Sequence, residues 1–143
     1  MQTKDILRIK GSVLYTIAPD STLSHAVGVM VENDIGSLVV MEHGKLTGML
    51  SFREVLKAMH TNKGSAGGLR VREIMVKPEI VGPDMEVDDL RRVMLEKHTR
   101  YMPVMEGTML LGVLSFHDVA KAMLEEQAFE NRMLKGYIKN WPA

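Results

Sequence analysis

Two short motifs place a hydroxyl and a carboxylate one helical turn apart. Ser115 and Asp118 lie in the segment 112–118, where an apolar run gives way to a helical pattern. The first turn of a helix has unpaired backbone N–H groups and the positive end of the helix dipole, and together these attract a phosphate. The Ser115 hydroxyl can donate to a phosphate oxygen, and the Asp118 carboxylate can accept from two neighbouring hydroxyls at once.

The same motifs also have a purely structural interpretation. Ser51-x-x-Glu54 and Ser115-x-x-Asp118 both match a capping box, which closes a helix N-terminus without any ligand. Glu54 is one methylene longer than Asp118, so the two motifs would present different geometry to a ligand. Repetition of the motif in a matching context favours a binding role for the second copy.

That context is an internal repeat covering most of the chain. Thr16 aligns with Ile80, and every following position aligns 64 residues later, without a gap, as far as Met59 and Met123. The clearest matches are Pro19-Asp20 with Pro83-Asp84, Val40-Met41-Glu42 with Val104-Met105-Glu106, and 48–52 with 112–116. A duplicated unit of this size usually packs on its copy, and a cleft between two such units is a natural ligand site.

Hydrophobic periodicity predicts the order β-α-β-β-α in both copies. The elements expected in the first copy are a strand at 16–18, a helix from Leu23 closed by Asn33-Asp34, strands at 38–41 and 46–50, and a helix at 52–59. The matching elements in the second copy are a strand at Ile80-Val81, a helix through Val87 and Met94, strands at 102–105 and 109–114, and a helix from Phe116. Short entry helices are expected near Ile6 and Glu73.

The predicted organisation is repeat 1 at 5–60, a Gly-rich linker at 61–70, repeat 2 at 71–124 and a helical tail at 125–143. The last helix keeps its phase to about Lys135-Gly136, well beyond its counterpart. Such a tail is either a lid on its own domain or a surface that contacts a partner. In the second case, the stretch from Glu125 to Trp141 could relay a conformational change in the repeats to that partner.

Composition excludes several function classes. The 18 basic residues balance the 18 acidic ones, so nucleic acid and anionic membranes are not expected partners. Cysteine is absent, and the five histidines form no metal-ligand pair. No Gly-x-Ser-x-Gly or Walker-type loop occurs, so we expect no enzyme activity and no metal. Without a secretory start or a long apolar run, a cytoplasmic location is the expectation.

Two β-α-β-β-α copies, each carrying Gly-x-Leu-Ser-x-x-[Asp/Glu], resemble a tandem pair of cystathionine-β-synthase (CBS) domains, or Bateman module. The resemblance covers Asp5 to about Met123. It implies an α/β fold of two pseudo-symmetric repeats packed sheet to sheet, with the C-terminal helix extended. It also implies an adenine-nucleotide sensor without catalytic cofactor that regulates an unidentified protein, often as a disc-shaped homodimer. AMP is the expected ligand, with ATP, ADP, NAD(H) and S-adenosylmethionine as alternatives.

The resemblance also assigns residues: it implies that Ser115 contacts a phosphate and that Asp118 binds two ribose hydroxyls. Arg100-Tyr101-Met102-Pro103-Val104 is similar to the family's basic-x-x-Pro-Val segment beside the phosphate, although Arg100 is equally interpretable as an exposed charge. Adenine walls would come from the first strands, through Ile80 and Val81 or Ile17. The corresponding segment of the first copy, 36–40, contains Ser37 but lacks both the basic residue and the proline.

Arg53 could compensate at the start of the helix that follows Ser51. Its counterpart His117 would carry charge only near or below neutral pH. We therefore expect the second site to bind AMP-like ligands better, and the first to be weaker, empty or tuned to a dinucleotide. The alternative function is a scaffold that dimerises without a ligand.

Overall fold

The computed structural model describes residues 1–11 and 13–139, with side chains as far as Gly136. The end of the predicted tail, including Trp141, lies outside the described residues. Eleven elements follow one another in the described part of the chain: α1 (Thr3–Lys10), β1 (Thr16–Ile17), α2 (Leu23–Glu32), β2 (Ser37–Glu42), β3 (Lys45–Ser51), α3 (Phe52–Thr61), α4 (Val71–Ile74), α5 (Val87–Lys97), β4 (Tyr101–Glu106), β5 (Met109–Ser115) and α6 (Phe116–Lys139). The predicted α/β class, with two pseudo-symmetric repeats and an extended C-terminal helix, is confirmed.

Both repeats contain the same antiparallel hairpin with the same irregularity. In β2–β3 the register shifts between Val40 and Met41, and in β4–β5 it shifts between Val104 and Met105. The β2–β3 turn is a two-residue loop in which His43 and Gly44 both have positive φ, 53° and 75°. Such a turn matches the right-handed twist of the strands that it joins.

The strand predicted at Ile80-Val81 is reduced to a single bridge between Val81 and Val104. In repeat 1, β1 runs parallel to β2 and the Val39 N–H donates to the Tyr15 carbonyl at 3.2 Å. Position 103, 64 residues after Val39, is a proline, which has no N–H to donate. This missing donor explains why the second sheet has two strands while the first has three.

The entry helices are exchanged between the repeats. Ile6 of α1 lies in one core with Leu90 and Leu114 of repeat 2, and Val71 of α4 lies in the other core with Leu23 and Leu50 of repeat 1. All six of these side chains are almost completely buried. Each repeat therefore completes its core with the helix that precedes the other repeat.

Glycine permits the close approach of α1 to repeat 2. A Cβ at Gly112 in β5 would lie 2.8 Å from Cδ2 of Leu7. The backbone adds to this contact, since the Thr3 N–H donates to the Met85 carbonyl at 2.8 Å. The result is that the last residue of α1, Lys10, is held at the junction between β5 and α6.

Helix α6 extends far past the body of repeat 2. Val119 and Ala122 near its start are buried, whereas Leu124, Phe129 and Met133 are more than half exposed. The helix continues to at least Lys139, beyond the end predicted near Lys135-Gly136. Among the described residues, no helix is both long enough and apolar enough to cross a membrane.

Candidate functional site

A cleft of about 820 Å³ lies between the two repeats. Repeat 2 contributes the junction of β5 and α6, and repeat 1 contributes its entry segment and the loop between α2 and β2. The lining residues are Lys10, Val13, Leu14, Tyr15, Ile35, Gly36, Ser37, Val39, Arg100, Tyr101, Val113, Ser115, Phe116, His117 and Ala120. The volume falls within the usual range for pockets that bury a small organic ligand.

The lining combines an apolar wall with positive charge. Val13, Leu14 and Tyr15 provide a wall opposite the start of α6, while Lys10 and Arg100 bring two cations. No aspartate or glutamate is among the described residues that line this cleft. An anion with a flat apolar group is the kind of ligand that this combination suits.

Ser115 and Asp118 form a capping box at the start of α6. The Asp118 N–H donates to Ser115 Oγ at 3.0 Å, and the Ser115 N–H donates to Asp118 Oδ2 at 2.8 Å. In this pair the Ser115 hydroxyl accepts from the Asp118 N–H, and it also lies close enough to the Asp118 carboxylate to help lower the pKa of that group. A ligand in the cleft that accepts from the Ser115 hydroxyl would compete with Asp118 for its proton.

Asp118 is also paired with Lys10. Lys10 Nζ lies 2.7 Å from Asp118 Oδ2 and 2.7 Å from the Val113 carbonyl oxygen. Burial by itself would raise the pKa of Asp118, but hydrogen bonds from Lys10 and Ser115 outweigh this effect and the net pKa is lowered. Asp118 is therefore a carboxylate at neutral pH.

A second, smaller cleft of about 280 Å³ is the pseudo-symmetric counterpart. It is lined by Ser51, Arg53 and Glu54 of repeat 1 and by 76–79 and 97–101 of repeat 2. Here the Ser51 hydroxyl donates to Glu54 Oε1 at 2.8 Å, and the Ser51 N–H donates to the same oxygen at 2.8 Å. Glu54 therefore caps this helix start, and with Glu79 it places two carboxylates in the lining of the smaller cleft, whereas none is among the described residues that line the larger one.

Arg100 lies where the two clefts meet and lines both. Its guanidinium carbon is 5.5 Å from the centroid of the Phe52 ring, in cation–π geometry. Tyr101 packs edge-on against the same ring, with centroids 6.4 Å apart. Burial raises the pKa of Tyr101, and Asp118 adds to this effect while Arg100 opposes it.

The structure brings together only part of the predicted site. Ser37, Arg100, Tyr101, Ser115 and His117 line the larger cleft, while Asp118 lines an adjoining groove. Ser51, Arg53 and Glu54 line the smaller cleft, together with Arg100 and Tyr101.

The remaining predicted residues line neither cleft. Ile17, Val81 and Met102 are buried core residues, Pro103 is buried beside them, and Ile80 is 54% exposed. The apolar wall opposite Ser115 comes instead from Val13–Tyr15, which precede the first strand of the other repeat.

Lys10 and Val13–Tyr15 were missed because the adenine walls were expected from the first strands themselves, not from the segments that precede them. The exchange of entry helices places the segment before the first strand of repeat 1 against the start of α6. The signal available in the sequence was that entry segments of similar length precede both copies, at 10–15 and 74–79.

The fold is a tandem-repeat module with a pair of clefts, and each cleft is lined by residues of both repeats. The CBS domain family model matches the chain twice, at residues 4–61 and 71–125. This chain belongs to the CBS domain family.

Individual relatives have the same organisation. The CBS domain-containing protein YhcV of Bacillus subtilis is 28% identical over 79% of this chain and 81% of its own length. The CBS-domain protein ATU1752 of Agrobacterium tumefaciens has a crystal structure that matches with a TM-score of 0.80 and 30% identity, over 86% of this chain and 99% of that one. The structure of CBSX2 in complex with AMP shares the fold, with a TM-score of 0.73 and 23% identity over 88% of this chain and 98% of that one.

Proposed function

We propose that this chain is a regulatory module that binds an adenine nucleotide in the larger cleft. The carrying observation is the difference in charge between the two clefts. Lys10 and Arg100 line the 820 Å³ cleft, and no carboxylate is among its described lining residues. Two carboxylates, those of Glu54 and Glu79, line the smaller cleft. A phosphate at the start of α6 would meet the Ser115 hydroxyl, the helix N-terminus and Arg100.

The rest of the nucleotide fits the same cleft. Val13, Leu14 and Tyr15 would contact the adenine ring, and Asp118 would accept hydrogen bonds from the ribose at the boundary with the adjoining groove that it lines. CBSX2, which shares the fold, was crystallised with AMP, and this makes AMP the first ligand to test. ATP, ADP, NAD(H) and S-adenosylmethionine are the further candidates.

Isothermal titration with these ligands tests the proposal, after co-purified nucleotide has been removed. Asp118→Ala should weaken binding by about 1.5–3 kcal/mol, since it removes a charged hydrogen-bond acceptor. Glu54→Ala is the matched control because it removes the equivalent capping carboxylate at the smaller cleft. Equal affinity in the wild type and Asp118→Ala would contradict the assignment of the site.

The alternative is a scaffold that acts without a ligand. One observation favours it: in each motif the serine and the acidic residue already bond to each other as a helix cap, without any ligand. A ligand that binds the native state raises the melting temperature, so thermal unfolding with millimolar AMP separates the two functions. A melting temperature that does not respond to any of the five nucleotides would favour the scaffold.

We also infer that a second copy of this chain covers the groove between α3 and α5. Leu56 and Leu95 line it and are 62% and 54% exposed, beside Phe52 and Phe116. A symmetric dimer would bury these side chains from both copies. Light scattering should give twice the monomer mass, and Leu56→Asp with Leu95→Asp should give the monomer.

Helix α6 is the proposed output element. It begins at the cleft with Phe116 and runs without interruption to Lys139, with Leu124, Phe129 and Met133 exposed on the way. A ligand that contacts the first turn of α6 could bind one orientation of this helix more tightly than another. Its binding would then increase the population of that orientation and shift the exposed part of the helix. Hydrogen exchange of residues 125–136 should therefore change on addition of nucleotide, and identical protection would exclude this relay.

A further inference from the structure

The side chain of Lys10 separates Asp118 from the larger cleft. Lys10 lines both the 820 Å³ cleft and the neighbouring groove of about 260 Å³, whereas Asp118 lines only the groove. The lysine and aspartate side chains are 34% and 20% exposed, so the ion pair between them is partly shielded from water. A ribose in the larger cleft would meet the lysine before it met the carboxylate.

The hydrogen bonds of Asp118 make this arrangement restrictive. Oδ2 accepts both from the Ser115 N–H, at 2.8 Å, and from Lys10 Nζ, at 2.7 Å. Each carboxylate oxygen has two lone pairs, so a free carboxylate can bind the two hydroxyls of a ribose with one oxygen each. With both lone pairs of Oδ2 in use, the two hydroxyls would have to share Oδ1 of Asp118.

The Lys10 side chain can move away from Asp118 without disturbing α1, the helix that carries it. Lys10 is the last residue of α1, whose packing depends on Ile6 and on the contact of Leu7 with Gly112. Its side chain is held by two contacts of Nζ, with Asp118 and with the Val113 carbonyl. Rotation of this one side chain would bring Asp118 to the edge of the larger cleft.

We propose that Lys10 is a latch on Asp118 and determines how strongly the cleft selects a ligand with two free ribose hydroxyls. This inference rests on the proposed nucleotide function. In the wild type, the cost of breaking the Lys10–Asp118 ion pair would offset part of the favourable free energy of ribose binding. Removal of the lysine charge should therefore strengthen the binding of ribose-containing ligands selectively.

The test uses adenosine and 2′,3′-dideoxyadenosine, because neither has a phosphate with which a released Lys10 could pair. Lys10→Met keeps most of the side-chain length without the charge. It should bind adenosine about three- to tenfold more tightly than the wild type does, the range expected for one partly buried ion pair. Dideoxyadenosine should bind both proteins equally, and Lys10→Arg should behave like the wild type because it keeps the pair.

Lys4→Met is the matched control. Lys4 lies on the same helix and pairs with Asp84 at 3.1 Å, outside both the cleft and the groove. This variant should leave both affinities unchanged. Lys10→Gln serves as a second neutral variant if Lys10→Met does not fold.

The remaining outcomes are distinct. An unchanged or weaker affinity for adenosine in Lys10→Met would overturn the latch, and so would an equal gain for both nucleosides, which would make Lys10 a simple steric block. If neither the wild type nor the variant binds any nucleoside or nucleotide, the proposed function fails and the latch fails with it. Wild-type binding of AMP without a selective gain in the variant overturns the latch alone.

Discussion

The hydroxyl of Tyr101 in repeat 2 lies directly over the Cα of Gly36 in repeat 1. A Cβ at position 36 would overlap this hydroxyl and would come within 3.3 Å of the Phe52 ring. Gly36 and Tyr101 both line the larger cleft. The size of one residue therefore fixes how closely the two repeats approach at the point where a ligand would sit.

Gly36→Ala should lower the free energy of unfolding by about 1–3 kcal/mol, because the added methyl group must displace Tyr101 or the backbone. Urea unfolding would measure this change. Gly82→Ala is the control, since a Cβ there meets nothing within 4 Å. In a double-mutant cycle, Tyr101→Ala should cost less in the Gly36→Ala background than alone, and strict additivity would exclude the predicted overlap.

Gly28→Ala should have the opposite effect. Gly28 lies inside α2, and a Cβ there meets nothing within 4 Å. Because glycine in a helix interior is less favourable than alanine by about 0.5–1 kcal/mol, the substitution should raise the free energy of unfolding by that amount. A lower melting temperature for this variant would contradict the prediction.

Ile6→Ala tests the exchange of the entry helices. Ile6 is 2% exposed in the core of repeat 2, so its truncation should cost about 2–5 kcal/mol of stability. Ile9 lies on the same helix but is 67% exposed, and Ile9→Ala should change stability by no more than about 0.5 kcal/mol. Chemical denaturation of the two variants, followed by circular dichroism, provides the comparison, and similar losses would argue against the packing of α1 on repeat 2.

Acidification should remove the stabilisation that Asp118 provides. Its pKa is lowered in the folded protein, so this stabilisation is complete above the ordinary carboxyl pKa and is lost as the pH falls through the lowered value. Asp118→Asn cannot titrate. The stability difference between the wild type and Asp118→Asn should therefore shrink between pH 6 and pH 3.

Denaturant melts at several pH values would measure this difference. Asp84→Asn is the control, because the Asp84 side chain is 78% exposed and its pair with Lys4 is open to solvent. A stability difference between the wild type and Asp118→Asn that stays constant across this range would contradict the predicted role of the carboxylate.

The repeat in the sequence predicted most of the fold, because hydrophobic periodicity reports local structure directly. The constant offset placed α2, both hairpins and the start of α6 close to their observed bounds. It failed at Ile80-Val81, where the proline that follows Met102 removes a ladder donor. That proline lay inside a predicted strand and a predicted ligand-site segment, but the loss of pairing that it causes was not predicted.

The residues that line each cleft from the other repeat could not be predicted from periodicity. Periodicity identifies the face that a helix buries but not the unit against which it packs. Ser115 and Asp118 could be proposed as ligand contacts because their chemistry is local to one helix start. Val13–Tyr15 and Lys10 come from a segment about 100 residues earlier in the chain, and only the exchange of entry helices brings them there.

The exchange of α1 and α4 has a mechanical consequence. A pull on the amino terminus acts first on α1, which is packed in the core of repeat 2, so the load passes to the later half of the chain before the earlier half. Under such a force the order of rupture would be inverted relative to the order of the sequence. During synthesis, likewise, α1 emerges first but must wait for β5, more than 90 residues later, before it can pack.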